Sequence, residues 1–83
     1  METRDVHNIA LGNAIRRLRK EARLTQQELA GRAEVPAEKL RSVEAGSIDV
    51  DWGTLRHLAH ALEVDLPDVF RLTEELERVQ GEG

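Results

Sequence analysis

Two short helices separated by a very tight turn are the feature that most constrains the fold of this chain. Thr25 and Glu28 have the spacing of a capping box, in which each side chain accepts a hydrogen bond from the backbone N–H of the other, so a helix is predicted from residue 26 to Ala33. Pro36 suits the first position of the next helix, and Gly46 suits its end. Only residues 34 and 35 remain between the two helices. This spacing predicts a helix-turn-helix and not a long helical hairpin.

Three further helices follow from apolar spacing and capping residues. The first is predicted over residues 8–22, where four apolar residues share one face: Leu11, Ile15, Leu18 and Ala22. Asp51 caps a fourth helix whose apolar stripe ends at Leu62, and Asp65 caps a fifth with Pro67 in its first turn. The chain is only 2% aromatic and is rich in residues that lose little freedom in a helix. We therefore expect an all-α domain of five helices.

Length and composition exclude several classes of protein. With 83 residues we expect one small domain, for which oligomerisation is a natural supplement to a modest core. The chain has no cysteine, which excludes disulfides and thiolate metal sites. Residues 1–10 do not form a secretory leader, and no apolar run is long enough to span a bilayer, so a soluble, cytoplasmic protein is expected. Neither a nucleophile-elbow pattern nor a phosphate loop is present, so we do not expect an enzyme.

The charge is unevenly distributed along the chain. The net charge is −4, but residues 11–46 carry eight bases against five acids, whereas residues 47–83 carry three bases against nine acids. The basic part coincides with the first three predicted helices. The distribution is therefore compatible with a nucleic-acid partner, although the net charge is negative.

Three motifs carry a resemblance to a known family: LTQQELA at residues 24–30, Glu44-x-Gly46 at the end of the third helix, and LxxLAxAL from Leu55. Residues 11–70 resemble, without a gap, the DNA-binding domain of Cro/phage-repressor-type (xenobiotic-response-element-like) helix-turn-helix regulators. The resemblance implies a lambda-repressor-like fold, and we expect no cofactor. Residues 1–7 would form an N-terminal arm, 8–70 the DNA-binding domain, and 71–83 an extension of the C-terminal helix with a short tail.

The resemblance also implies which residues contact duplex DNA. The second helix would cross the phosphate backbone, and the third would enter the major groove as the recognition helix. Gln26 matches the phosphate-contacting position of the family, and we place its neighbour Gln27 beside it. The positions that reach bases or nearby phosphates are matched by Ala37, Glu38, Lys39, Arg41 and Ser42. Arg19 and Glu44 match a partly buried ion pair that ties the first helix to the end of the recognition helix.

Several residues depart from the pattern of the family, among them Asp49, Val50 and Asp51, which follow the recognition helix where basic or polar residues would help to bind the DNA backbone. Glu34 occupies the turn position that is usually glycine, and a left-handed backbone costs about 1–2 kcal/mol at a residue with a side chain. Glu38 places an acid near DNA phosphates. It either accepts a hydrogen bond from cytosine N4 or stabilises the dipole at the helix N-terminus.

The fifth helix carries an apolar stripe with the three-four-three spacing of a coiled-coil seam: Val69, Leu72, Leu76 and Val79. We predict that this stripe is the interface of a homodimer; the alternative is that it packs back on its own domain. Phe70 is expected to face the core, and Trp52 is expected to lie as a lid on the core. His57 and His60 lie three residues apart but lack a third ligand, so no metal site is predicted.

The sequence thus predicts a DNA-binding transcriptional regulator, a repressor or autoregulating controller that acts as a homodimer on an inverted repeat. Two alternatives stay open. One is an antitoxin-type regulator with a toxin as protein partner. The other is a protein-interaction module with the same fold and little affinity for DNA, which the acidic C-terminal half and Glu38 favour.

Overall fold

Five helices make up most of the described chain. The computed structural model describes the backbone of residues 3–82 and the side chains of residues 6–79. The helices are, in chain order, α1 (Thr3–Glu21), α2 (Gln26–Ala33), α3 (Ala37–Ala45), α4 (Trp52–Leu62) and α5 (Leu66–Glu82). Between residues 3 and 82 there is no strand, which confirms the all-α prediction. In that same stretch no helix has both the length and the apolar character that a membrane span requires.

Helix α1 begins earlier than the sequence predicted. The apolar pattern indicated a start at Asn8, whereas the helix starts at Thr3, so most of the predicted arm over residues 1–7 is helical. The reason is a tertiary contact, because α1 packs along α5 and the His7 ring pairs with the Glu77 carboxylate across that contact. Residues 1, 2 and 83, from the predicted arm and tail, lie outside the described residues.

The turn between α2 and α3 is tight, but one residue longer than its sequence indicated. The Glu28 N–H donates to the Thr25 hydroxyl at 3.0 Å and the Thr25 N–H donates to the Glu28 carboxylate at 2.8 Å, so the capping box is confirmed. Helix α2 ends at Ala33, and Glu34, the residue that caps its C-terminus, has a left-handed backbone with φ of 58°. Pro36 has ψ of 139°, which no helical residue adopts, so it precedes α3 and the helix starts one residue later than predicted.

All five helices contribute to a single hydrophobic core. Each of them supplies one large side chain that is fully buried: Ile15, Leu29, Leu40, Leu58 and Val69. Smaller residues of α2 and α4, such as Ala30 and Ala59, fill the space between the helices. A core that draws on every helix fixes α2 and α3, which carry the predicted DNA contacts, relative to each other and to α1.

Helix α5 docks with a different face from the one that the sequence predicted. Val69, predicted in a dimer seam, is 0% exposed, and Phe70, predicted to face the core, is 41% exposed. Trp52, predicted as a lid on the core, is 59% exposed and stacks on Phe70 with ring centroids 6.3 Å apart. Packing of α5 along α1 turns Val69 inward, and the next residue then points about 100° away around the helix. The sequence prediction was wrong for these three residues.

Candidate nucleic-acid interface

Helix α3 presents one polar face to solvent. Its buried residues Leu40, Val43 and Glu44 face the protein. The opposite face carries side chains with helical spacing that are exposed or half-buried: Glu38, Arg41, Ser42 and Ala45. Three of these were predicted as site residues. Ala45 was not, although its spacing of seven residues from Glu38 places it on the same face.

The buried ion pair between Arg19 and Glu44 fixes the end of α3 to α1. Arg19 Nε donates to Glu44 Oε2 at 2.7 Å, and Arg19 Nη2 donates to Glu44 Oε1 at 3.0 Å. The two side chains are only 11% and 3% exposed. Arg19 Nη1 also donates to the Leu24 carbonyl at 2.9 Å, so one guanidinium binds both α3 and the turn before α2. The bidentate geometry fixes direction as well as distance.

Gln26, the first residue of α2, also binds the buried carboxylate. Its Nε2 donates to Glu44 Oε1 at 2.9 Å, and the side chain is half-buried. Gln27, by contrast, is exposed. In the described residues no buried side-chain nitrogen or oxygen lacks a hydrogen-bond partner. Gln26 therefore connects the first turn of α2 to the end of α3, and its neighbour extends into solvent.

Lys39 and Ala37 lie on the flanks of α3 and not on its outward face. Lys39 Nζ donates to Asp51 Oδ1 at 3.1 Å. Asp51 caps α4, because it accepts hydrogen bonds from the Thr54 hydroxyl at 2.7 Å and the Thr54 N–H at 3.0 Å. These bonds from Thr54, with that from Lys39, hold the pKa of the Asp51 carboxyl well below its usual range. Lys39 thus bridges α3 to α4 in the structure.

A glycine on α1 lets α3 approach closely. A Cβ atom placed on Gly12 would lie 2.3 Å from the Val43 carbonyl oxygen and 2.8 Å from that of Glu44. Both atoms belong to backbone, which cannot rotate away as a flexible side chain can. The absence of a side chain at Gly12 therefore sets the distance between α1 and the end of α3.

A basic groove lies between α1 and the end of α3. It encloses about 480 Å³, and its lining includes Arg16, Lys20 and Arg41 together with the paired Arg19 and Glu44. Neither Arg16 nor Lys20 was among the predicted site residues. The sequence showed that both residues lie on the polar face of the first predicted helix. It did not show that this face lies beside the end of α3.

The histidines of α4 do not form a metal site with other described residues. His57 and His60 line shallow grooves beside Arg32 at the junction of α2 and α4. Among the side chains that the structure describes, no group of three or more histidine, aspartate or glutamate residues is placed to hold a metal ion.

Comparison with known proteins identifies the family. The sequence profile of a helix-turn-helix domain family matches residues 10–72, which is most of the chain. The chain belongs to that family. No curated protein matches the sequence. In this helix-turn-helix protein, α2 and α3 are the two helices of the motif, and the left-handed Glu34 stands in the turn between them.

Solved structures of similar proteins share the fold of this helix-turn-helix protein. A crystal structure of the clp gene regulator ClgR from Corynebacterium glutamicum matches with a TM-score of 0.88 at 29% sequence identity, covering 92% of this chain and 81% of that chain. A second ClgR structure from C. glutamicum matches with a TM-score of 0.82 at 30% identity, covering 86% and 91% of the two chains.

A mutant of the restriction-modification controller protein C.Esp1396I matches with a TM-score of 0.81 at 19% identity, covering 87% of this chain and 96% of that chain. This third likeness shows the fold alone. The all-α, lambda-repressor-like fold expected from the sequence is thus confirmed. Family and fold together are those of DNA-binding transcription regulators, which are not enzymes.

Proposed function

We propose that this protein is a sequence-specific transcription regulator that binds an inverted repeat in duplex DNA as a homodimer. The observation that carries the proposal is the outward polar face of α3, which is fixed by a buried ion pair and adjoins a basic groove. The major groove of B-DNA admits an α-helix, and cations beside that helix would neutralise phosphates. The likeness to ClgR, which is described as a gene regulator, supports a role in transcription.

The proposed contacts to DNA divide by their place on the two helices. Glu38 and Ser42 lie on the outward face of α3, where side chains would reach base edges. Gln26 and Gln27, in the first turn of α2, would lie against the phosphate backbone. Ala37 and Lys39, on the flanks of α3, would contact the rim of the major groove, and Lys39 would have to exchange Asp51 for a phosphate.

Glu38 has two proposed roles that one substitution separates. If its carboxylate accepts a hydrogen bond from cytosine N4, Glu38→Gln will change the preferred base at one position of the site. If it only stabilises the N-terminal dipole of α3, the preferred sequence will stay the same. Sequencing of the DNA selected by the variant and by the unchanged protein distinguishes the two roles.

A homodimer requires apolar surface that is at least partly exposed in the single chain, and two such surfaces on the described residues are candidates. One is the C-terminal part of the predicted seam, where Leu72 and Leu76 are half-buried and Val79 is 67% exposed. The other is the stacked pair of Trp52 and Phe70. We retain the seam without Val69 as the proposed interface, and the aromatic pair is the competing surface.

The single tryptophan of the chain allows a direct test of the dimer. Leu76→Glu should convert the dimer to monomers in light scattering if the seam is the interface, while Phe70→Glu serves as the matched control. If instead only Phe70→Glu yields monomers, the aromatic pair is the interface. The emission of Trp52 would then shift to longer wavelength on dissociation, because its ring would become more exposed to water. If the unchanged protein is a monomer at all concentrations, the proposed homodimer is wrong.

The first experiment on function is selection of random duplex DNA by the purified protein at low salt. A double variant, Lys39→Ala with Arg41→Ala, is the control. We expect enrichment of an inverted repeat that the control does not enrich. If no sequence is enriched and binding does not weaken as salt rises, the acidic C-terminal half supports a protein-interaction module instead.

A further inference from the structure

The basic groove between α1 and the end of α3 is lined by two cations of α1 that the predicted DNA contacts do not include, together with Arg41 from the outward face of α3. Arg16 and Lys20 come from α1, and Arg41 comes from α3. We propose that these three side chains form a seat for one backbone phosphate of duplex DNA. The inference rests on the proposed DNA-binding function and adds α1 as a third element that contacts DNA.

The charge balance of the groove favours an anion. The acidic residue in its lining is Glu44, and that carboxylate is already bound by the Arg19 guanidinium at 2.7 Å and 3.0 Å. Among the described residues, Arg16, Lys20 and Arg41 form no ion pair with a carboxylate. Three like charges around one groove repel each other, and a bound phosphate would relieve that repulsion.

The hydrogen bonds of Arg16 place its guanidinium at this groove without using its charge. Arg16 Nη2 donates to Asn13 Oδ1 at 3.3 Å and to the Glu44 carbonyl at 3.5 Å. Both bonds are long and both acceptors are neutral, so exchange for a phosphate oxygen would cost little. Charged donors also make shorter and stronger bonds to phosphate than to carbonyl groups.

The seat changes the role of Arg41. On sequence alone, Arg41 matches a position that reaches either bases or phosphates, and its place beside Arg16 and Lys20 assigns it to phosphate. Phosphate contacts fix the register of a protein on DNA but carry no direct sequence information. Glu38, Ser42 and Ala45 then remain on the outward face of α3 to contact base edges.

The test compares the salt dependence of DNA binding in matched variants of α1. Arg16→Ala and Lys20→Ala each remove one groove cation from an exposed position. Arg17→Ala is the control, because Arg17 lies on the same helix, is 59% exposed, and pairs with Glu21 instead of lining the groove. Affinity for the selected duplex and for an unrelated duplex is measured over a range of salt concentrations. Melting temperatures show whether each variant is folded.

The seat predicts three results. Arg16→Ala and Lys20→Ala weaken binding to both duplexes by the same factor. Each also makes the fall of log K, the logarithm of the binding constant, with log salt less steep, by up to about 1 in the slope. Arg41→Ala does the same and leaves the preferred sequence unchanged. Arg17→Ala leaves the slope unchanged.

Other outcomes overturn the seat and are distinguishable from failure of the proposed function. If the unchanged protein binds its selected duplex and the Arg16 and Lys20 variants keep its slope, the seat is wrong and DNA binding stands. If Arg41→Ala changes the preferred sequence, its assignment to phosphate is wrong. If inorganic phosphate raises the melting temperature through Arg16 and Lys20 while the DNA slopes are unaffected, the groove binds free phosphate and not DNA. If the unchanged protein binds no duplex, both proposals fail.

Discussion

Helix α3 is held on its two sides by junctions of opposite character. Toward α1, the Arg19–Glu44 pair is buried and the backbones touch at Gly12. Toward α4, the Lys39–Asp51 pair is open to water, with side chains 39% and 60% exposed. Both junctions contain one ion pair between one base and one acid. Their contributions to stability differ because their surroundings differ.

The difference shows which junction determines the position of α3. A buried ion pair is costly to desolvate and persists only when additional hydrogen bonds satisfy it, as Gln26 and the Leu24 carbonyl do here. An exposed ion pair contributes little and can exchange its partner. The α1–α3 junction therefore fixes α3 within the domain, whereas the α3–α4 junction can exchange the partner of Lys39, as the proposed DNA contact requires, without loss of the fold.

The largest effect is expected from removal of the buried carboxylate. Glu44→Ala leaves the Arg19 guanidinium buried without its partner, and such a loss costs about 3–5 kcal/mol. This loss is comparable with the whole stability of a small domain, so the variant should be largely unfolded at room temperature. Urea unfolding followed by circular dichroism measures it. Glu38→Ala, exposed on the same helix, is the control and should cost at most about 1 kcal/mol, the typical contribution of an acid in the first turn of a helix. A melting temperature for Glu44→Ala equal to that of the unchanged protein would refute the prediction.

A second pair of substitutions tests the close approach of the two backbones. Gly12→Ala forces a methyl group against the carbonyls of Val43 and Glu44, and overpacking of this kind costs about 1–3 kcal/mol. Gly31→Ala is matched to it, because Gly31 also lies inside a helix but has nothing within 4 Å of an added Cβ. It should stabilise the protein by about 0.5–1 kcal/mol. Shifts of the same sign in the two thermal unfolding curves would contradict this interpretation.

The exposed junction should yield a smaller effect. Lys39→Ala removes the ion pair to Asp51 but leaves the Thr54 hydrogen bonds in place, so the loss of unfolding free energy should be several-fold smaller than for Glu44→Ala. High salt screens exposed charges, so the difference from the unchanged protein should disappear near 1 M salt. A large, salt-independent loss would show that this junction also fixes α3.

The smallest expected effect is on the stability of the fold at low pH, and it comes from the Asp51 carboxyl. Hydrogen bonds from Thr54 and Lys39 lower the pKa of Asp51 from its ordinary value of 3.8. A carboxyl whose pKa is lower in the folded state stabilises the fold above its unfolded pKa, and this contribution is lost as pH falls through the folded value. Asp51→Asn keeps a capping oxygen but not the charge. The advantage of the unchanged protein over this variant should therefore shrink between about pH 5 and about pH 2 in acid unfolding. An advantage that is constant with pH would mean that the charge contributes nothing.

Local signals in the sequence predicted much of the fold. The capping box at Thr25 and Glu28 depends on residues three positions apart, so no knowledge of the rest of the chain was needed to locate α2. Asp51 at the start of α4 is an equally local signal. The resemblance to helix-turn-helix regulators supplied the one long-range contact that was anticipated, between Arg19 and Glu44.

The docking of α5 could not be predicted in the same way. The spacing of Val69, Leu72 and Leu76 shows that they share one face of a helix, but it does not show whether that face meets the same chain or another. Packing along α1 decides this for Val69. Phe70 was expected to face the core and Trp52 to lie as a lid on it, yet the two rings stack on each other at the surface.

The candidate site was predicted on α3 but not on α1. Glu38, Arg41 and Ser42 share a face because of their spacing along one helix, which the sequence displays directly. The groove beside them is formed between two helices, α1 and α3, which approach closely at Gly12. Arg16 and Lys20 could therefore be recognised as part of the site only after the two helices had been placed together.

The packing of α1 along α5 has a consequence for how the protein is made. The ribosome synthesises α1 well before α5, with α2, α3 and α4 between them in the chain. While the chain grows, α1 lacks its final partner and the space that Val69 fills stays open. The core is thus completed late, by a contact between distant parts of the chain. A nascent chain that already contains both helices of the DNA-binding motif still has to wait for α5 before its fold is complete.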